Sequence, residues 1–83
     1  MRLDKFLKVS RLVRRRTVAN KMCAAGLVTL NGRVARPAAE VRPGDIIGIT
    51  FGTRTIEVEV AKTPDSVPAS EAASLYRLLR GGS

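Results

Sequence analysis

Residues 1–21 read MRLDKFLKVSRLVRRRTVANK, and their spacing sets the terms for the rest of the chain. Advanced by about 100° per residue, Leu3, Phe6 and Leu7 fall on one side of a helix. Arg2, Lys5, Lys8 and Arg11 fan across the opposite side. An apolar stripe for a core therefore backs onto a basic face. Arg14-Arg15-Arg16 is expected to follow at the end of this helix, and Thr17 to open a second one as its N-cap. Val18, Ala19, Met22, Cys23 and Ala25 share the apolar side of that second helix, with Asn20 and Lys21 opposite.

The junction between the two helices breaks a local rule. Cations beside a helix N-terminus oppose the helix dipole, at roughly 0.3–1 kcal/mol each when exposed. Three adjacent arginines also repel one another. An anion resolves the conflict, because free N–H groups and guanidinium forks both suit phosphate. A merely solvated charged turn explains the clustering less well, since the charge is so unevenly spread. Residues 1–36 hold ten lysines and arginines against one acid, Asp4, whereas residues 37–83 hold five against six. The whole net charge of +8 thus comes from the first part. A polyanion partner is implied, with RNA, DNA and anionic membrane as candidates.

At 83 residues the chain allows one small domain with one modest core. The single cysteine, Cys23, cannot form an internal disulfide and falls among apolar neighbours, so it is expected to be a small core residue. A cytoplasmic location fits that usage. No apolar run approaches the roughly 20 residues of a membrane span, and no signal-peptide core follows Met1. The Arg-rich start also resembles a transit peptide, but removing it would strip two helices of apolar surface from a small core.

Downstream, Gly26 stands where a C-cap glycine would, and Leu27–Leu30 is expected to be a strand. Asn31-Gly32 then signals a hairpin, with Arg33–Arg36 returning and Pro37 ending the strand. Pro43-Gly44-Asp45 marks a turn. A strand is expected over Asp45–Phe51, with Gly48 at a bulge or close approach, and another over Arg54–Val60. Ile56, Val58 and Val60 should point inward and Thr55, Glu57 and Glu59 outward. Residues 62–69, with Pro64 and Pro68, look like a linker. Ser70–Leu79 has helix formers with Leu75, Leu78 and Leu79 at helical spacing, so a short C-terminal helix ended by Gly81-Gly82 is expected.

Catalysis finds little support. There is no histidine, Cys23 has no base at a recognisable spacing, and neither a metal-ligand set nor a glycine-rich phosphate loop occurs. No cofactor or metal is expected. Aromatics are few: Phe6, Phe51 and Tyr76, the first two at expected core positions. Base stacking is therefore poorly supported, and a grip on phosphates and RNA shape is favoured.

Met1-Arg2-Leu3-Asp4-Lys5-Phe6-Leu7, Arg14-Arg15-Arg16-Thr17-x-Ala19, Gly26-x-Val28-x-x-Asn31-Gly32, Arg36-Pro37 and Pro43-Gly44-Asp45 together resemble the S4 RNA-binding domain. The resemblance runs from Met1 to about Val60. It implies an α+β fold, two short N-terminal helices packed on a small twisted antiparallel sheet (the alpha-L motif), with the short C-terminal helix added. Residues 1–61 would form the S4-like domain and residues 62–83 the linker and helix. By position, Arg2, Lys5, Arg15, Arg16, Thr17 and Lys21 would contact RNA, with Arg36 flanking; the basic face adds Lys8, Arg11 and Arg14.

No catalytic domain is attached, so the chain resembles the stand-alone S4 proteins of obstructed large ribosomal subunits, the heat-shock type and the RqcP type. Glu71-Ala72-Ala73-x-x-Tyr76 and the lack of a long basic tail resemble the RqcP type. That resemblance implies a non-enzymatic, monomeric factor gripping large-subunit ribosomal RNA and peptidyl-tRNA during ribosome-associated quality control, while alanine is added to the stalled chain. A quality-control protein on the same subunit is a further expected partner, and a membrane is not. Two alternatives are a general rRNA- or tRNA-binding assembly or translation factor, and an adaptor that recruits a protein through its C-terminal helix.

Overall fold

The computed structural model describes residues 1–81. Helix α1, Leu3–Val9, sinks the stripe expected from its spacing: Leu3, Phe6 and Leu7 are fully buried. Each such side chain contributes about 1.5–3 kcal/mol of burial. The first amides of α1 are satisfied from outside the helix, Leu3 N–H donating to the Ala39 carbonyl (2.9 Å) and Asp4 N–H to that of Pro37 (3.1 Å). The segment after Arg36 thereby fastens onto the start of α1.

Helix α1 ends earlier than the sequence suggests. Ser10 is its C-cap and Arg11 takes the left-handed conformation (φ 61°) where helices usually place glycine. Val13 then drops into the core, its N–H bonded to the Leu7 carbonyl (3.0 Å). The three arginines consequently lie beyond a connecting loop rather than at the helix end.

Helix α2 spans Arg16–Ala24, and its N-cap is Arg15, in extended conformation and without a side-chain cap. Thr17 is therefore inside the first turn and does not cap it, a correction to the expected start. Ala19 and Cys23 face the core, but Val18 is 43% exposed and Ala25 is exposed. The far end behaves as expected: Gly26 (φ 80°) donates to Cys23 and Leu27 to Met22, both at 3.0 Å, a Schellman closure.

Five strands follow in one antiparallel sheet: β1 Val28–Leu30, β2 Arg33–Val34, β3 Ile46–Phe51, β4 Arg54–Val60 and β5 Tyr76–Arg80, in the spatial order β2-β1-β3-β4-β5. Asn31-Gly32 makes the two-residue β1–β2 turn, with φ of 53° and 86°. Asp45 anchors the neighbouring turn: its carboxylate accepts from Arg42 N–H (2.9 Å) and from Asn31 Nδ2 (3.2 Å), while Asn31 Oδ1 accepts from Ile46 N–H (2.9 Å). Ile56, Val58 and Val60 are buried as their alternation requires. Gly48 marks a close approach, since a Cβ there would lie 2.5 Å from Thr29 Oγ1.

The C-terminal helix is present only as a 3-10 helix, Ala69–Leu75, with Ala72 and Leu75 in the core. Tyr76–Leu79, expected to continue it, belongs instead to β5, which pairs with β4. Cross-strand pairing and two Arg–Glu contacts outweigh the helix propensity of this stretch. Leu78 and Leu79 are therefore strand residues, 50% and 41% exposed, and offer no helical recruiting face. Gly82, expected to end the helix with Gly81, lies outside the described residues.

Candidate nucleic-acid interface

The interface is organised by an acid. Asp4 sits in the first turn of α1, where a carboxylate favours the helix dipole, yet its side chain is only 3% exposed. Arg2 grips it with two nitrogens, Nε to Oδ1 at 3.1 Å and Nη2 to Oδ2 at 3.2 Å. From α2, Arg16 Nη2 reaches Oδ1 at 3.4 Å and Asn20 Nδ2 reaches Oδ2 at 3.3 Å. Burial works against the charged form of Asp4. The hydrogen bonds from Arg2, Asn20 and Arg16, with the Arg16 charge, outweigh it and hold the carboxyl below its ordinary value. One negative charge thus locks two helices together and aligns two guanidiniums that stay about half exposed, 50% for Arg2 and 47% for Arg16.

Around this hub, Arg16, Thr17, Asn20 and Lys21 line a shallow depression of about 380 Å³ with Asp4. Arg11, Arg14 and Arg15 line a second groove, and among the described residues they pair with no carboxylate. The amides of the first turn of α2 have no side-chain cap. Uncapped amides and unpaired guanidiniums at one helix start form an anion-accepting surface. Lys5 contacts Asp65 at 3.2 Å, but Asp65 is 95% exposed, so this contact is worth at most about 1 kcal/mol and leaves Lys5 available. Lys8 is half-buried and lies with Arg11 in a separate, smaller depression beside Val67. Arg36 is exposed and stands with Arg33 by the β1–β2 hairpin, held near α1 through the backbone of Pro37.

Asp4 and Asn20 at the hub, and Phe51 on the wall of the second groove, are absent from the residues expected at the site. For Asp4 a signal exists: at about 100° per residue it lies only about 60° from Leu7, at the border of the apolar stripe. Cys23 is a core thiol, pushed up to about 11 by burial and by the Asp4 charge, and so unreactive near neutrality.

The S4 domain profile matches residues 1–47. The chain belongs to the S4 domain family. It is 46% identical over 78 residues to the RQC P-site tRNA stabilizing factor of Halalkalibacterium halodurans, covering 94% of this chain and 89% of that one. To the protein of the same name from Bacillus subtilis it is 42% identical over 80 residues, covering 96% and 93%. Among solved structures it resembles heat shock protein 15 of Vibrio cholerae with a TM-score of 0.88 at 34% identity, covering 95% of this chain and 81% of that one.

Proposed function

We infer that this S4 protein is a non-enzymatic RNA-binding factor that grips tRNA and large-subunit ribosomal RNA on obstructed ribosomes. It would thereby support ribosome-associated quality control and the addition of alanine to stalled chains. The observation that carries this reading is the basic surface around Asp4: two aligned arginines, an uncapped helix start and three further arginines without carboxylate partners among the described residues. The names of its relatives supply the pathway. Arg2, Lys5, Lys8, Arg11, Arg14, Arg15, Arg16, Thr17, Lys21 and Arg36 would meet phosphates and ribose. Residues 1–61 would do the gripping and residues 62–83 would complete the fold. The factor would act as a cytoplasmic monomer beside a quality-control protein; among the described residues no helix is long and apolar enough to cross a membrane.

Cosedimentation with large ribosomal subunits tests this reading. The wild-type chain is expected in the pellet at moderate salt, and Arg15→Ala/Arg16→Ala in the supernatant. With about six phosphates neutralised, affinity should fall by roughly four to five decades per decade of salt. Association that survives the substitutions, or ignores salt, overturns the assignment.

A further inference from the structure

Between the outer face of α2, the end of β3 and the Ser10–Arg15 loop runs an open groove of about 770 Å³. That is within the roughly 300–1,000 Å³ usual for small-ligand sites. Its lining is divided. Leu12, Val18, Met22 and Phe51 make it apolar, and Arg11, Arg14 and Arg15 make it basic. Val18 and Met22 are one helical turn apart, and Phe51, although expected inside, is only partly buried at the last position of β3. A groove meant only for phosphates has no use for an apolar wall of exposed Val18 and partly buried Leu12, Met22 and Phe51. A groove for an apolar peptide would not be flanked by three guanidiniums that pair with no carboxylate among the described residues. An unstacked nucleotide satisfies both halves: its base is a flat apolar surface and its phosphate an anion.

We propose that the Phe51 groove receives one unstacked nucleotide of the bound RNA, the base packing on Phe51 and Met22 and the flanking phosphates meeting Arg14 and Arg15. The proposal rests on the RNA-binding reading above and adds a preference for RNA carrying a bulged or looped-out nucleotide over a continuous helix. Arg11 takes the left-handed turn after α1, Leu12 next to it lines the groove, and Val13 anchors the loop in the core.

The test uses two RNA hairpins, identical except that one carries a single unpaired nucleotide in its stem. The wild-type chain should bind the bulged hairpin more tightly. Phe51→Leu, which keeps apolar volume and removes the ring, should lower affinity for the bulged hairpin about 5-fold or more and leave the paired hairpin unchanged. The chain has no tryptophan, so Phe51→Trp supplies a lone indole, excited selectively over Tyr76, whose emission should be quenched by the bulged hairpin and not by the paired one. Equal affinity of the wild-type chain for both hairpins, with no effect of Phe51→Leu, overturns the groove and leaves the RNA-binding reading intact. Loss of all hairpin binding by the wild-type chain would instead sink that reading. A photocrosslinker at Val18 that captures protein rather than RNA on large subunits also overturns the groove.

Discussion

Around α1 and α2 a single carboxylate serves two arginines, and Arg11, Arg14 and Arg15 pair with none among the described residues. Along β4 and β5 the pairing is one to one: Arg77 meets Glu59 at 2.7 Å and Arg80 meets Glu57 at 3.1 Å. The same side chain thus stands in excess charge on the helical layer and in balanced charge at the sheet edge. Excess positive charge costs self-repulsion in the free protein and is repaid only when an anion arrives. Balanced charge stays neutral and instead helps hold a strand against helix propensity.

Reversing the unpaired charges should give the largest effect. Arg14→Glu/Arg15→Glu is expected to weaken RNA binding roughly 100-fold and to flatten the salt slope by about two, with the melting temperature raised slightly because two cations leave the start of α2. The matched change at the sheet edge, Arg77→Ala/Arg80→Ala, should leave RNA affinity within about twofold and cost less than about 1 kcal/mol per pair. Filter binding across a salt series, with thermal melts of the same samples, would read both. Comparable losses of affinity from the two doubles would abolish the distinction between the layers.

Asp4→Asn comes next. Removing one partner of a fully buried ion pair costs about 3–5 kcal/mol, but Arg2 and Arg16 are half exposed and can rehydrate, so about 2–3 kcal/mol is expected here. In a chain of this size that corresponds to a fall in melting temperature of at least about 8 °C. The pH dependence has a definite sign. Because the folded carboxyl lies below its unfolded value near 3.8, its stabilisation is complete above that value and is lost as pH falls through the folded one. Urea melts should therefore show the wild-type advantage over Asp4→Asn shrinking below about pH 4. A difference that stays constant down to pH 2 would mean that Asp4 is not held ionised by its arginines.

What the sequence disclosed follows the same division between local and non-local causes. The core stripe of α1, the Asn31-Gly32 hairpin, the Gly26 closure and the alternation of β4 are each carried by neighbouring residues, and each is legible without coordinates. The S4-type motif order gave the layering of helices and sheet for the same reason. Three features depend on partners distant in sequence, and neighbouring residues alone point the wrong way. Asp4 looks like a stray surface acid until α2 brings Arg16 and Asn20 to it, 12 and 16 positions away. Tyr76–Leu79 looks helical until β4 offers an edge. Phe51 looks like core until the loop after α1 leaves one side of it open.

The two helix ends offer the smallest and sharpest test, because both use a left-handed residue and only one uses glycine. Gly26 adopts φ 80° without a Cβ penalty, whereas Arg11 holds φ 61° against a steric cost of about 1–2 kcal/mol. Arg11→Gly removes that cost but adds backbone freedom to the unfolded chain, worth about 0.5–1 kcal/mol in the other direction. The balance is a gain of about 0.5–1 kcal/mol in stability, while one cation leaves the groove and the salt slope falls by about one. Stability and affinity should thus move in opposite directions, readable by urea melts and hairpin binding on one preparation. A position kept for shape alone would gain stability and lose no affinity; only one kept for its guanidinium accepts a strained turn in order to carry charge.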